Sequence, residues 1–397
     1  MYARLLQPPE RSFFLFGPRG TGKTAWLKTR LGGGALVFDL LKSGTYQRLS
    51  ASPERIGDLV PEDHDDWVVV DEVQRVPELL NEVHRLIESR KLRFALTGSS
   101  ARKLRRGGTN LLGGRARTLR MHPLTALELG DDFDLARALR FGTLPFACTT
   151  KDPESYLRDY VDTYLREEVQ QEGFVRAIGP FSRFLEAASF SQGSVLNMAS
   201  VARDAGVQAK VVEGHFKLLE GLLLAVRLPV FTRRAKRRMV AHPKFYYFDA
   251  GVYRTLRPRG PLDSAEEIDG PALETLMLSN LRAVNDAFAL GYELSYWRTH
   301  DGREVDFVLY GERGLIAIET KRTHRVRDED LAPLLTFREE FPMAKAYFVH
   351  LGKERGHDRG IDILPAGAAL AELDSILGAK RSGGRTRRAN GGKRPDA

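Results

Sequence analysis

The sequence predicts an α/β chain of several domains: a parallel sheet near the N-terminus, a helical middle and a second α/β unit towards the C-terminus. Three observations predict it. An apolar run, Phe13-Phe14-Leu15-Phe16, breaks into a glycine-rich loop ending in Lys23-Thr24. A second run, Trp67-Val68-Val69-Val70, ends in the carboxylates Asp71 and Glu72. Far downstream, Glu304–Leu309 and Gly314–Lys321 read as paired strands with charges at their ends. Continuous apolar runs of this kind suit strands covered on both faces.

The first run fixes the first domain. Gly17-Pro18-Arg19-Gly20-Thr21-Gly22-Lys23-Thr24 has the GxxxxGK[ST] spacing of a phosphate-binding loop between a strand and a helix. Gly17, Gly20 and Gly22 let the backbone curl so that its N–H groups converge on phosphate oxygens, and the next helix aims its positive end at the same anion. Lys23 supplies a point charge for the outer phosphates of ATP, and the Thr24 hydroxyl can hold Mg²⁺. Asp71 is placed to hold the same Mg²⁺, and Glu72 to orient or deprotonate the attacking water. Ala35–Asp39 reads as another strand, and Leu79–Ser89 has helical spacing. Arg93–Ser100 is a further strand ending in hydroxyls. There Thr97 or Ser99 can sense the γ-phosphate or simply shape a turn. Arg115, after a glycine turn, is either an arginine finger or an ordinary surface arginine.

These segments, with Val70–Pro77, Leu96–Ser100 and Leu112–Arg115, resemble the prokaryotic AAA-type ATPases that carry a C-terminal region of unknown function. The likeness runs on through Tyr156–Tyr160 and Pro243–Asp249 and covers roughly residues 10 to 365.

Composition sets the outer bounds. A chain of 397 residues exceeds one compact core, so two to four domains are expected. No stretch reaches the roughly 18 apolar residues of a membrane helix, and the first residues lack a signal-peptide pattern. Cys148 is the only cysteine, which excludes an internal disulfide and fits a cytoplasmic location. The nine histidines lack zinc-site pairings. Of the net charge of +9, the stretch Leu377–Ala397 carries +6, from seven Lys/Arg and one Asp, so the remaining body carries +3. That tail reads as a solvated end, or as a salt-sensitive grip on nucleic acid.

In the middle, Asp152–Gln170 reads as a helix whose stripe of Tyr156, Tyr160 and Tyr164 is core packing, and Phe181–Phe190 extends the helical part. Met198–Val207 suits a short helix stopped by Gly206, Lys210–Glu220 a second, and Leu222–Pro229 a strand before the basic turn Thr232–Arg238. Together they resemble a winged helix-turn-helix, which implies DNA in the major groove. A winged helix used only for packing fits the pattern as well, since Glu213 and Glu220 suit a groove poorly.

Towards the C-terminus, Pro271–Asn285 reads as a helix carrying Glu274, and Glu293–Arg298 pairs with Glu304–Leu309 around Asp301-Gly302. Alternation puts Glu319 and Lys321 on one strand face, with Asp306 beside them. Glu274, Asp306 and Glu319 can then fix Mg²⁺, whose bound water Lys321 orients. The order Glu…Asp…Glu-x-Lys resembles the PD-(D/E)XK nuclease superfamily, which implies a restriction-endonuclease-like α/β fold acting on phosphodiesters. Val305 stands where that motif often has proline. A last short helix is expected over Ala366–Leu377.

The expected division is a P-loop ATPase domain over 1–125, a helical connector over 126–190 and a winged-helix-like domain over 191–242. A nuclease-like domain over 243–378 and a basic tail over 379–397 complete it. The expected activity is ATP hydrolysis coupled to action on DNA. The alternative is an ATP-controlled DNA- or protein-binding switch that cuts nothing. Expected partners are ATP, DNA and a second copy of the chain as a homo-oligomer, with no membrane.

Overall fold

The computed structural model describes residues 2–99, 102, 104, 112–165, 178–232, 242–261 and 263–379. Ser100, Asn110, Leu111, the last part of the expected 152–170 helix, the basic residues Arg233–Arg238 and the tail from 380 lie outside them.

Five parallel strands form the first sheet: β1 (Phe13–Phe16), β2 (Leu36–Asp39), β3 (Trp67–Asp71), β4 (Arg93–Gly98) and β5 (Arg117–Arg120). Their order, β2-β3-β4-β1-β5, inserts β4 between the strand that feeds the glycine loop and the strand that ends in acids. Side-chain alternation explains why β1 is apolar at every position. Phe13 and Leu15 pack with Trp26, Leu27 and Leu31 of the Lys23–Leu31 helix. Phe14 and Phe16 pack with Leu79, Leu80, Val83 and Leu86 of the Leu79–Arg90 helix. Each such side chain contributes roughly 1.5–3 kcal/mol on burial.

The middle is mainly helical. The Pro153–Asp159 helix is capped by Asp152 and passes into a wider, π-type turn over Tyr160–Leu165. Asn197 accepts hydrogen bonds from the amides of Ala199 and Ser200 to start the Met198–Ala205 helix, and Gly206 at φ 67° ends it. After the Ala209–Gly221 helix, Leu223 takes a positive φ, so β6 is confined to Ala225–Leu228 rather than the longer strand expected. It pairs antiparallel with β7 (Lys244–Tyr247). Glu213 and Glu220 both bind Arg227 of β6, at 3.1 and 2.6 Å, so these acids are engaged within the middle unit.

The second sheet is mixed: β8 (Glu293–Arg298), β9 (Glu304–Gly311), β10 (Gly314–Lys321), β11 (Lys345–His350), β12 (Gly356–Asp358) and β13 (Ile361–Pro365), in the order β12-β13-β11-β10-β9-β8. Ile316 and Ile318 face the Ala265–Ala287 helix, and Leu315 and Ala317 face the Asp328–Glu340 helix. The first of these helices starts six residues before Pro271, because Ser264 and Glu267 form a capping box. The stretch 322–365, to which sequence reasoning assigns no element, supplies a helix and three strands. Among the described residues no helix is long and apolar enough to cross a membrane.

One contact stitches the middle to the second sheet, and another ties the middle together. Beyond β6, Pro229 and Phe231 bond to the backbone of Tyr296 on β8. Asp249 accepts from the amides of Thr143, Gly251 and Val252 at 2.8, 2.8 and 3.1 Å. A Cβ at Gly251 would overlap the Phe141 carbonyl, which is backbone and cannot turn away. Gly251→Ala is therefore expected to destabilise the chain by about 1–3 kcal/mol. Gly44→Ala, in an open helical position, should leave stability unchanged or raise it by up to about 1 kcal/mol. Thermal unfolding of the two variants checks the pair, and equal stability would refute the close approach.

Candidate functional site

The glycine loop is built by its neighbours as much as by its own sequence. A Cβ on Gly17 would collide with the Met121 carbonyl just past β5, so only glycine fits. Gly20 and Gly22 stand at φ 81° and 92°, the left-handed region that glycine enters without strain. Thr21 turns its hydroxyl onto the Pro18 carbonyl at 2.7 Å. Lys23, the first helical residue, is buried and folds its ammonium over the loop, donating to the carbonyls of Gly17 at 2.6 Å and Pro18 at 3.2 Å.

Across the sheet the two acids lie at the C-terminal end of β3. Asp71 accepts from the hydroxyls of Thr24, at 3.1 Å, and Thr97. Thr97 itself accepts from the Glu72 amide at 3.3 Å. Of the two hydroxyls considered, Thr97 is therefore the one beside Asp71, whereas Ser99 accepts from Gln74 at 3.3 Å. Glu72 adopts φ 60° and ψ 45°, a conformation that costs a non-glycine residue on the order of 1–3 kcal/mol and turns its side chain out of the strand. Gln74, which the sequence did not single out, donates to the Glu72 carboxylate. Arg115 pairs with Glu88 of the Leu79–Arg90 helix, a surface contact.

A cavity of about 550 Å³ adjoins Gly20, Thr21 and Gly22. Trp26, Pro145, Phe146 and Tyr156 line it. Tyr156 is thus partly a wall of this cavity rather than only core. Tyr160 is buried as expected, but its hydroxyl also donates to the Arg19 carbonyl of the loop at 2.9 Å. Burial pushes the lone thiol, Cys148, up to about 12, which leaves it unreactive.

Residues 9–130 match an AAA domain. The N-terminal domain is accordingly that of an AAA-type ATPase, and its parallel sheet agrees. Residues 132–263 match a domain of unknown function (DUF8612), and residues 269–368 match another (DUF4143). Among curated proteins none matches significantly. A Vibrio cholerae protein of known crystal structure is 12% identical over 92% of this chain and 97% of its own, with a TM-score of 0.24, too low to carry an argument.

Beyond the AAA domain, the carboxylates expected to hold a second metal lie close together. Asp306 on β9 offers its amide to Glu319 on β10 at 3.2 Å and accepts from the amide and hydroxyl of Thr320 at 3.0 and 2.9 Å. The basic partner differs from the expectation. Lys321 is half-exposed and pairs with Asp330 at 3.4 Å, because the Asp328–Glu340 helix crosses its end of β10. The ammonium among the carboxylates belongs to Lys244 of β7, 2% exposed, at 3.0 Å from Asp306, 2.5 Å from Glu304 and 3.8 Å from Glu274. Among the described residues no group of three or more His, Cys, Asp or Glu is arranged to hold a metal. Glu274 and Asp306 thus pair with a buried ammonium, and Glu319 accepts from the Asp306 amide. Lys244 supplies the positive charge there.

Burial, then the Asp306 charge, push Glu274 up to about 8, and Tyr246 donates to it at 2.7 Å. Burial opposes the charge on Lys244, but Asp306, Glu274 and Glu304 outweigh it and hold the ammonium well above its usual value. Lys244→Met leaves buried carboxylates unpaired and is expected to cost about 3–5 kcal/mol. Lys321→Ala, whose half-exposed ammonium meets Asp330 at the edge of the sheet, should cost about 1 kcal/mol or less. Chemical denaturation distinguishes them, and a reversed order would return Lys321 to the site. The raised Glu274 binds its proton more tightly folded than unfolded. Its contribution is full below pH 4.5 and is lost as pH rises through about 8. Melting of Glu274→Gln against the parent across that range should show a flatter pH dependence in the variant.

Proposed function

We propose that the chain binds and hydrolyses ATP with Mg²⁺ and uses the cycle to control a DNA-engaging platform formed by its middle and C-terminal parts. One observation carries the nucleotide half: a single carboxylate, Asp71, meets the hydroxyls of Thr24 from the loop helix and Thr97 from β4. Thr24 and Asp71 would hold the metal, which neutralises charge on the transferred phosphoryl group. In this reading the amides between Gly17 and Thr24 cradle the phosphates, with Lys23 over them, and the adjoining cavity takes the base against Phe146 and Tyr156. Glu72, steadied by Gln74, orients the attacking water. Arg115 would act as a finger only after leaving Glu88, in cis or towards a second copy of the chain.

The DNA half rests on the helix–turn–helix of Met198–Ala205 and Ala209–Gly221 followed by the β6–β7 hairpin, an arrangement compatible with a winged helix. For the C-terminal part, the seated Lys244 favours a fold of nuclease type that holds rather than cuts. Cutting remains the second reading, favoured by the contact of Asp306 with Glu319 across β9 and β10.

Phosphate release measured on the parent and on Lys23→Ala is expected to differ by about a hundredfold or more. Undiminished release in the variant would refute the ATPase site. Supercoiled plasmid incubated with the parent, ATP and Mg²⁺ or Mn²⁺ is expected to stay intact. Nicking that disappears in Asp306→Asn would instead establish the second reading.

A further inference from the structure

The Pro153–Asp159 helix has a second cleft on its other side. While Tyr156 turns to the cavity beside the glycine loop, Leu157 and Arg158 line a separate cavity of about 230 Å³. Its walls carry four guanidinium groups from three stretches of the chain: Arg140, Arg158, and Arg254 with Arg259. Leu157 and Phe141 contribute apolar walls.

The charges there are poorly balanced. Glu154 is the one lining carboxylate, and it reaches Arg140 and Arg158 only at 4.0 and 3.7 Å. Asp269 binds Arg254 but is shared with Arg322 at 3.3 Å. The Arg254 Nε is buried with no hydrogen-bond partner among the described residues. Partial loss of water, with the charges of Arg254 and Arg140, holds the largely exposed Arg259 below its usual value. A last-turn arginine offsets its helix dipole, which accounts for Arg140, Arg158 and Arg254 one at a time. It does not account for their convergence, or for Arg259, which lies beyond the end of the Ala250–Leu256 helix.

We infer that this cleft is a binding site for a phosphate group, distinct from the glycine loop. Guanidinium forks match phosphate oxygens in pairs, and an anion placed among them relieves their mutual repulsion. The phosphate comes from a small phosphorylated ligand or from a nucleic-acid backbone, and the two sources are separable.

The full chain carrying Lys23→Ala, which disables the glycine loop, is titrated with inorganic pyrophosphate by calorimetry and with a labelled single-stranded oligonucleotide by anisotropy. The same chain with Arg158→Gln and Arg259→Gln added is compared. Both positions are exposed, so folding should be retained, and circular dichroism verifies it. Weakening of at least one probe by about tenfold or more is expected. Loss confined to the oligonucleotide, with its salt slope falling by about two, assigns the site to backbone phosphate. Loss that includes pyrophosphate assigns it to a free phosphoryl group. If neither probe binds, or both bind the variant as tightly as the parent, the inference is overturned. Because the glycine loop is disabled throughout, that result leaves the ATPase reading untouched.

Discussion

One carboxylate ties the N-terminal sheet to its chemistry. Asp71 ends β3, and two hydroxyls from separate elements meet it, one from the helix after the glycine loop and one from β4. The strand order makes this possible: with β4 between β1 and β3, Thr97 stands beside Asp71 while the loop helix reaches over from β1. The all-apolar β1 keeps that alignment, because helices cover both of its faces. The glycine loop is held from outside as well. Met121 crowds Gly17, and Tyr160 reaches Arg19 from the middle of the chain. In the proposed reading, a site assembled this way links the phosphates to β4, β5 and the helices beyond them.

The same middle region also reaches the far sheet. β7 contributes Lys244, and the chain beyond β6 bonds to the edge of β8. A positive charge from one unit thus neutralises acids of another, at the place where a metal was expected. That contact is expensive to form, since every group in it gives up water, and more expensive to break halfway. It binds the middle of the chain to the C-terminal sheet.

Much of this was legible in the sequence, for a physical reason. The glycine loop and the acid-ended strand are local: their chemistry lies within a few residues of the pattern that reveals it. The strands around Asp306 and Glu319 were legible for the same reason, as was the Gly206 helix stop. Lys244 was not, because its partner Asp306 lies 62 residues away and nothing around either one signals the pairing. Lys321 had the right spacing on its strand but the wrong neighbour, since the helix that supplies Asp330 contains Pro333 and shows no clear helical stripe. The aromatic wall beside the glycine loop comes from Phe146 and Tyr156, which look like core residues until the fold brings them there.

The most direct test concerns Asp71. Equilibrium binding of a fluorescent ATP analogue is measured with and without Mg²⁺, on the parent and on Asp71→Ala. The account predicts that Mg²⁺ strengthens binding to the parent and that the variant loses this dependence. Binding that ignores Mg²⁺ in the parent, or keeps its full metal dependence without Asp71, would contradict it.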